Sequence, residues 1–185
     1  MSNQKVDFSA YNQQLHLSVV AKVRYGIWLI LSNFFFLTNI PYPIFFKVLL
    51  LKIFGATIGH NCIIKPWVKI KFPWKLKLGD NVWIGESSWI DNISDVSIGD
   101  NVCISQNAFL LTGNHDYTSI SFDLLSKPIT IENGVWICAN AIIVGGVNLK
   151  SHSVVGLGQI ITKDTQPYEI YGCKQSLVTR TRVIL

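Results

Sequence analysis

Large aliphatic residues return every six positions through most of this chain. They stand at Ile58, Ile64 and Ile70, at Leu78, Ile84 and Ile90, at Ile98, Ile104 and Leu110, and then at Ile131, Ile137, Ile143, Leu149, Val155 and Ile161. A period of six matches neither the 3.6-residue turn of a helix nor the alternation of a hairpin strand. It is the repeat of a parallel β-helix, in which three short strands close one triangular coil and successive coils stack. A chain that turns a corner every six residues needs left-handed backbone angles there. Three residues after the aliphatic position stand Asn61, Asn81, Asn101, Asn107, Gly134, Asn140, Gly146 and Gly158, the residue types that tolerate such angles at low cost. The residue after that is small enough for the inside of a corner: Cys62, Val68, Val82, Ser88, Val102, Ala108, Val135, Ala141, Val147 and Ser153.

The early triplets repeat at twenty residues, which is eighteen for a coil and two more at one corner, and "GHNC", "GDNV" and "GDNV" begin at 59, 79 and 99 in the same phase. Between Leu110 and Ile131 roughly fifteen further residues intervene, and they carry "TGNHDY" with His115. The surplus reads as a loop, 111–130, extruded from one corner. Coils above and below still stack across such an insertion, and solenoid insertions commonly form the binding face.

A chain of 185 residues makes one domain. The solenoid is expected over 58–164, with a tail over 165–185 and an apolar helical segment over 1–57. Within that segment residues 27–54 are apolar but broken by Ser32, Asn33, Thr38, Asn39, Pro41, Pro43 and Lys47. A spanning helix needs about 20 unbroken apolar residues. Two short helices around a Pro-x-Pro turn are expected instead, either capping the core or lying on a membrane surface.

Hydrophobic residues make up 49% of the chain and its net charge is +5, so buried contact with another surface and an acidic partner are both expected. Anionic lipid or a phosphorylated small molecule meets that requirement. With no arginine-rich run or nucleic-acid motif, nucleic acid is not an expected partner. Cys62, Cys103, Cys138 and Cys173 lack metal or redox spacing and read as reduced thiols. No signal-peptide pattern opens the chain. The expected location is cytoplasmic, with peripheral contact at the inner membrane surface.

"IGDNVCI", "VVGLGQIITKD", "TGNHDY" and "PITIENGVWI", together with "GESSWIDN" and "LLLKIFGATIG", resemble the hexapeptide-repeat acetyltransferases of the galactoside and maltose O-acetyltransferase branch, above all those of exopolysaccharide biosynthesis. The resemblance covers nearly the whole chain. It implies a left-handed parallel β-helix, a homotrimer with sites between subunits, acetyl-CoA as co-substrate, a sugar or polysaccharide-precursor acceptor, and no metal. It also implies His115 as general base, a role that suits an imidazole near neutral pH. Glu86, Asp91, Asn92, Asn114, Asp116 and Tyr117 are the expected acceptor contacts, and a carboxylate among them is a candidate to orient His115. On the donor side the matched positions are Trp136, Ala139, Leu157, Gly158, Lys163 and Arg180.

Two positions depart from the family pattern: "YGCKQSLVTR" replaces a proline-containing turn, and Cys138 stands where glycine is usual. Cys138 is a weaker candidate nucleophile. His16, His60 and His152 lack the spacing of a three-histidine zinc site, which weighs against a carbonic anhydrase on this fold. A drug-acetylating enzyme and a non-catalytic solenoid remain as alternatives.

Overall fold

The computed structural model describes residues 7–11 and 17–172, and each coil contributes one strand to each of three parallel sheets. The first sheet takes Thr57–Ile58, Leu76–Leu78, Val96–Ile98, Ile129–Ile131 and Asn148–Leu149. The second takes Ile63–Ile64, Trp83–Ile84, Cys103–Ile104, Trp136–Ile137, Val154–Val155 and Ile170–Tyr171. Lys69–Ile70, Trp89–Asp91, Phe109–Leu111, Ile142–Val144 and Ile160–Ile161 make the third. Strand partners follow the expected arithmetic: Ile64 lies beside Ile84, Ile84 beside Ile104, Ile104 beside Ile137 and Ile137 beside Val155.

The aliphatic columns point inward. Ile84, Ile90, Ile137, Ile143, Leu149 and Val155 are completely buried, and burying each such side chain contributes about 1.5–3 kcal/mol. All eight expected Asn and Gly corner positions have positive φ, as do Trp67, Ser87 and His152 in the same phase. The repeated Gly-Asp/Asn/His-Asn corners have a steric and a polar cause. A Cβ on Gly59, Gly79 or Gly99 would sit 2.2 Å from Asp80 Oδ1, Asp100 Oδ1 or Asn133 Oδ1 respectively. Those oxygens accept the backbone N–H groups of His60, Asp80 and Asp100 at 2.6, 2.8 and 2.8 Å. One step along, the Asn81 carboxamide accepts from Asn61 at 3.2 Å and donates to Asn101 at 3.0 Å. Each corner therefore binds the coil before it through side chains as well as strands.

Three boundaries differ from the expectation. Leu111, Ile129 and Thr130 belong to strands, so the extruded segment is 112–128. Ile170–Tyr171, inside the expected tail, pairs with Val154–Val155 and begins a sixth coil. The first helix, α1 (Val19–Phe35), starts well before residue 27 because Ser18 caps it, its hydroxyl accepting the Ala21 N–H at 3.2 Å. The second, α2 (Ile44–Ile53), follows Pro41 and Pro43 as the Pro-x-Pro reading expects.

Both helices pack on the first coil. Trp28 is buried and donates its indole N–H to Ile70 O at 2.8 Å, with Phe36 and Phe54 rings against it at 5.3 Å each. Leu50, Leu51 and Phe54 continue the solenoid core upward into α2. No helix among the described residues is long and apolar enough to cross a membrane.

Candidate active site

The extruded segment is a β-hairpin. Gly113–His115 pairs antiparallel with Leu124–Ser126, so that His115 stands opposite Leu124 at the far end of the hairpin from the solenoid. The hairpin is rooted where Thr112, buried, donates its hydroxyl to Asp91 O at 2.8 Å and its N–H to the same oxygen at 3.2 Å. Its walls and the third sheet enclose a cleft of about 370 Å³ lined by Leu111, Asn114, Leu125, Lys127, Val144 and Gly145 among others.

His115 is half-buried and held from three sides. Its Nδ1 lies 2.9 Å from the Phe122 carbonyl oxygen, and its ring stacks on the Phe122 ring at 4.4 Å with an interplanar angle of 8°. Tyr11, from the N-terminal segment, leans on it at 5.8 Å. A carbonyl only accepts, so Nδ1 carries the proton and Nε2 keeps the lone pair. Phe122 reaches this position with φ 51°, a left-handed angle unfavourable for an aromatic residue. Local strain of this kind concentrates at functional sites. The chain just before Tyr11 secures the arrangement: Asp7 N–H donates to Ile120 O at 3.0 Å, and Phe8 meets Phe122 edge-on at 5.5 Å.

Of the expected acceptor contacts, Asn114, Asp116 and Tyr117 flank His115 on the hairpin. Asn114 Oδ1 accepts the His115 N–H at 2.8 Å. The Asp116 carboxylate accepts the Thr118 hydroxyl and N–H at 2.6 and 2.9 Å, and these bonds hold it below the usual carboxylate range. Tyr117 is 80% exposed. Asp91 is directed elsewhere, its carboxylate paired with Lys71 at 2.9 Å under α1. Asn92 is fully buried and its carboxamide bridges both backbone groups of Phe72, at 2.9 and 2.7 Å. It is committed to holding the corner. No carboxylate orients the imidazole through Nδ1; the Phe122 carbonyl does.

Glu86 lies at the opposite edge of the third sheet. There the corners between the second and third sheets stack in one column: Asn107 N–H donates to Glu86 O, Asn140 to Gln106 O and Gly158 to Ala139 O. Ala139, Leu157 and Gly158 are thus brought together, and Trp136 is on the adjoining strand with its indole N–H on Ser105 Oγ at 3.0 Å. A groove of about 340 Å³ beside this column is lined by Lys65, Trp83, Glu86, Cys103, Ser105 and Gln106 among others. Lys163 is exposed past the last strand of the third sheet. Arg180, Cys173 and His16 lie outside the described residues.

Burial, with Cys103 nearby, pushes the Cys138 thiol up, which removes the thiolate a nucleophile needs. His60 pairs with Asp80 at 3.2 Å and His152 stacks on Tyr168 at 4.9 Å. Among the described residues no cluster of His, Cys, Asp and Glu could hold a metal ion. Phe122 and Tyr11 were not legible as site residues, because neither belongs to the repeat and only the fold brings them to His115.

No family model matches the chain. It is 35% identical over 137 residues to WcaF of Escherichia coli K12, an acetyltransferase named for colanic acid biosynthesis, covering 74% of this chain and 75% of that one. It is 36% identical over 121 residues to the galactoside O-acetyltransferase of the same organism, covering 64% of this chain and 60% of that one. A galactoside acetyltransferase solved with coenzyme A superposes with a TM-score of 0.74 at 26% identity, over 91% of this chain and 84% of that one. The hexapeptide-repeat acetyltransferase VCA0836 of Vibrio cholerae, solved with acetyl-CoA, shares the fold with a TM-score of 0.75 at 22% identity, over 89% and 88% of the two chains. Kinship over three quarters of both sequences, carried on the same stack of coils, establishes that the chain belongs to the hexapeptide-repeat acetyltransferases, enzymes built on a left-handed parallel β-helix.

Proposed function

We propose that this acetyltransferase moves an acetyl group from acetyl-CoA to a hydroxyl of a sugar unit in surface or exopolysaccharide biosynthesis, with His115 as the general base. The observation that carries the reading is the Nδ1 bond to Phe122 O, which leaves Nε2 as the basic nitrogen. Nε2 takes the proton of the acceptor hydroxyl as its oxygen attacks the thioester carbonyl carbon. The tetrahedral intermediate then collapses, the carbon–sulfur bond breaks, and the imidazolium returns its proton to the departing CoA sulfur. The products are an acetyl ester and free CoA thiol. The Phe122 carbonyl supports the imidazolium while it exists, since Nδ1–H donates in both states.

The acceptor class is supported by the relatives named for a polysaccharide and a galactoside. Asn114, Asp116 and Tyr117 are the hairpin groups offered to sugar hydroxyls. On the donor side Trp136, Ala139, Leu157 and Gly158 supply a continuous edge for the pantetheine arm, with Lys163 and Arg180 for its phosphates. This edge and His115 stand at opposite sides of the third sheet of one chain, so a site that uses both is completed between two copies.

A homotrimer is supported by the outward side chains. The first sheet shows Thr57, Lys77, Ser97, Thr130 and Asn148, whereas the second and third present Trp83 and Trp136, and Trp89, Phe109, Ile142 and Ile160. Two apolar faces beside one polar face suit a closed ring of three. We place the enzyme in the cytoplasm.

The test is acetyl-CoA turnover by the purified chain over a panel of sugar acceptors, with His115→Ala beside the wild type. Acceptor-dependent CoA release that falls about 10² to 10⁴-fold in the variant is expected. Turnover of a drug with no sugar acetylated would select detoxification, and absence of both binding and turnover a non-catalytic solenoid.

A further inference from the structure

The outer sides of α1 and α2 are apolar where a surface helix is ordinarily polar. On α1, Val20, Val23, Ile27, Ile30 and Phe34 recur at three- and four-residue spacing and are all exposed, Val20 by 78% and Phe34 by 65%. That spacing lays them along one side of the helix, away from buried Trp28 and Ser32. On α2, Phe45, Leu49 and Ile53 repeat every fourth residue, with Phe45 71% exposed. Large apolar patches of this kind mark a docking surface.

Charge names the occupant. From residue 8 to residue 79 the chain contains nine lysines and arginines and no aspartate or glutamate. Arg24 is taken up on Phe54 O and the Trp74 ring, buried Lys47 on the carbonyls of Ile64 and Lys65, and Lys71 on Asp91. Lys22 and Lys52, on the helices themselves, and Lys69, beside α1, are exposed at the margins of the apolar faces. A second copy docking through the same face would bring these cations together with no acid between Asp7 and Asp80 to pair with them. An anionic bilayer meets both requirements, taking up apolar side chains at the acyl boundary and lysines among its headgroups.

We propose that α1 and α2 together form a docking surface for an anionic lipid bilayer, on which the enzyme lies without spanning it. This surface is independent of the catalytic reading of His115. It would hold the acetyltransferase where lipid-carried acceptors are presented.

The experiment is co-sedimentation of the full chain with phosphatidylcholine vesicles and with vesicles containing phosphatidylglycerol, at low and high salt. Expected is at least a tenfold preference for the anionic vesicles that declines as salt rises. Val23→Ser/Ile30→Ser/Phe34→Ser should abolish binding to both. Lys22→Gln/Lys52→Gln should weaken anionic binding about fivefold for each lysine removed. Circular dichroism and the mass in solution should match wild type in both variants. Wild type left in the supernatant with anionic vesicles overturns the proposal. So does a serine variant that sediments like wild type, or one whose only change is a smaller assembly, which would make the faces subunit or protein contacts. If the serine variant fails to fold, the lysine pair and the salt dependence decide alone.

Discussion

The Phe122 carbonyl oxygen stands 2.9 Å from Nδ1 of His115, and the Phe122 ring lies parallel to the imidazole at 4.4 Å. One residue thereby fixes the tautomer through its backbone and the ring plane through its side chain. The two tasks are separable by mutation because the carbonyl survives any substitution.

Phe122→Gly keeps the left-handed angle at lower cost and removes only the ring. The expected result is a melting temperature at or above wild type with kcat lowered roughly 10 to 100-fold, as loss of orientation costs. KM for acetyl-CoA should be unchanged. A parallel rise in that KM would mean that the ring serves donor binding instead of positioning.

Asn107 occupies a corner at φ 56°. Asn107→Val forces a β-branched side chain into that angle and should destabilise the fold by about 1–2 kcal/mol in denaturant unfolding. Asn107→Gly should remain near wild type. Equal losses in the two variants would show that the carboxamide, and not the backbone angle, is what the corner requires.

Asn92→Leu leaves both backbone groups of Phe72 buried without their partner, at about 1–3 kcal/mol for each. Stability should fall while kcat/KM per folded molecule is preserved. Loss of turnover at full stability would return Asn92 to the acceptor site.

Glu132 is held below the usual carboxylate range by its bond to Lys150 at 3.1 Å and by the Ser151 N–H at 2.9 Å. A depressed folded-state pKa gives stability that is fully present above the unfolded value near 4.5 and is lost as pH falls through the folded value. Glu132→Gln should therefore melt below wild type at pH 7, and the gap should close as the medium is acidified below 4.5. A gap that is constant with pH would assign the effect to packing.

The aliphatic period, the corner Asn and Gly positions and the inserted segment at residue 115 are local facts, and they were legible because a solenoid repeats one local solution. Thr57–Ile58 and Asn148–Leu149 lie at opposite ends of the first sheet, yet each follows the same rule. The short capping residues were equally readable in kind: "GDN" announces a tight corner before any coordinates exist.

What tertiary structure decided is everything that depends on which coils meet outside the repeat. Asp91 and Asn92 are adjacent in sequence and polar alike, but one faces Lys71 under α1 and the other is sealed against Phe72. Glu86 and His115, expected in one cleft, stand at opposite edges of the third sheet. Phe122 and Tyr11, which no pattern marks, converge on His115 because the hairpin folds back on itself and the N-terminal segment crosses it. A period specifies the direction in which each side chain leaves its strand, since that follows from backbone angles six residues at a time. It carries no information about the partner met there, since partners are set by packing between segments far apart in the chain.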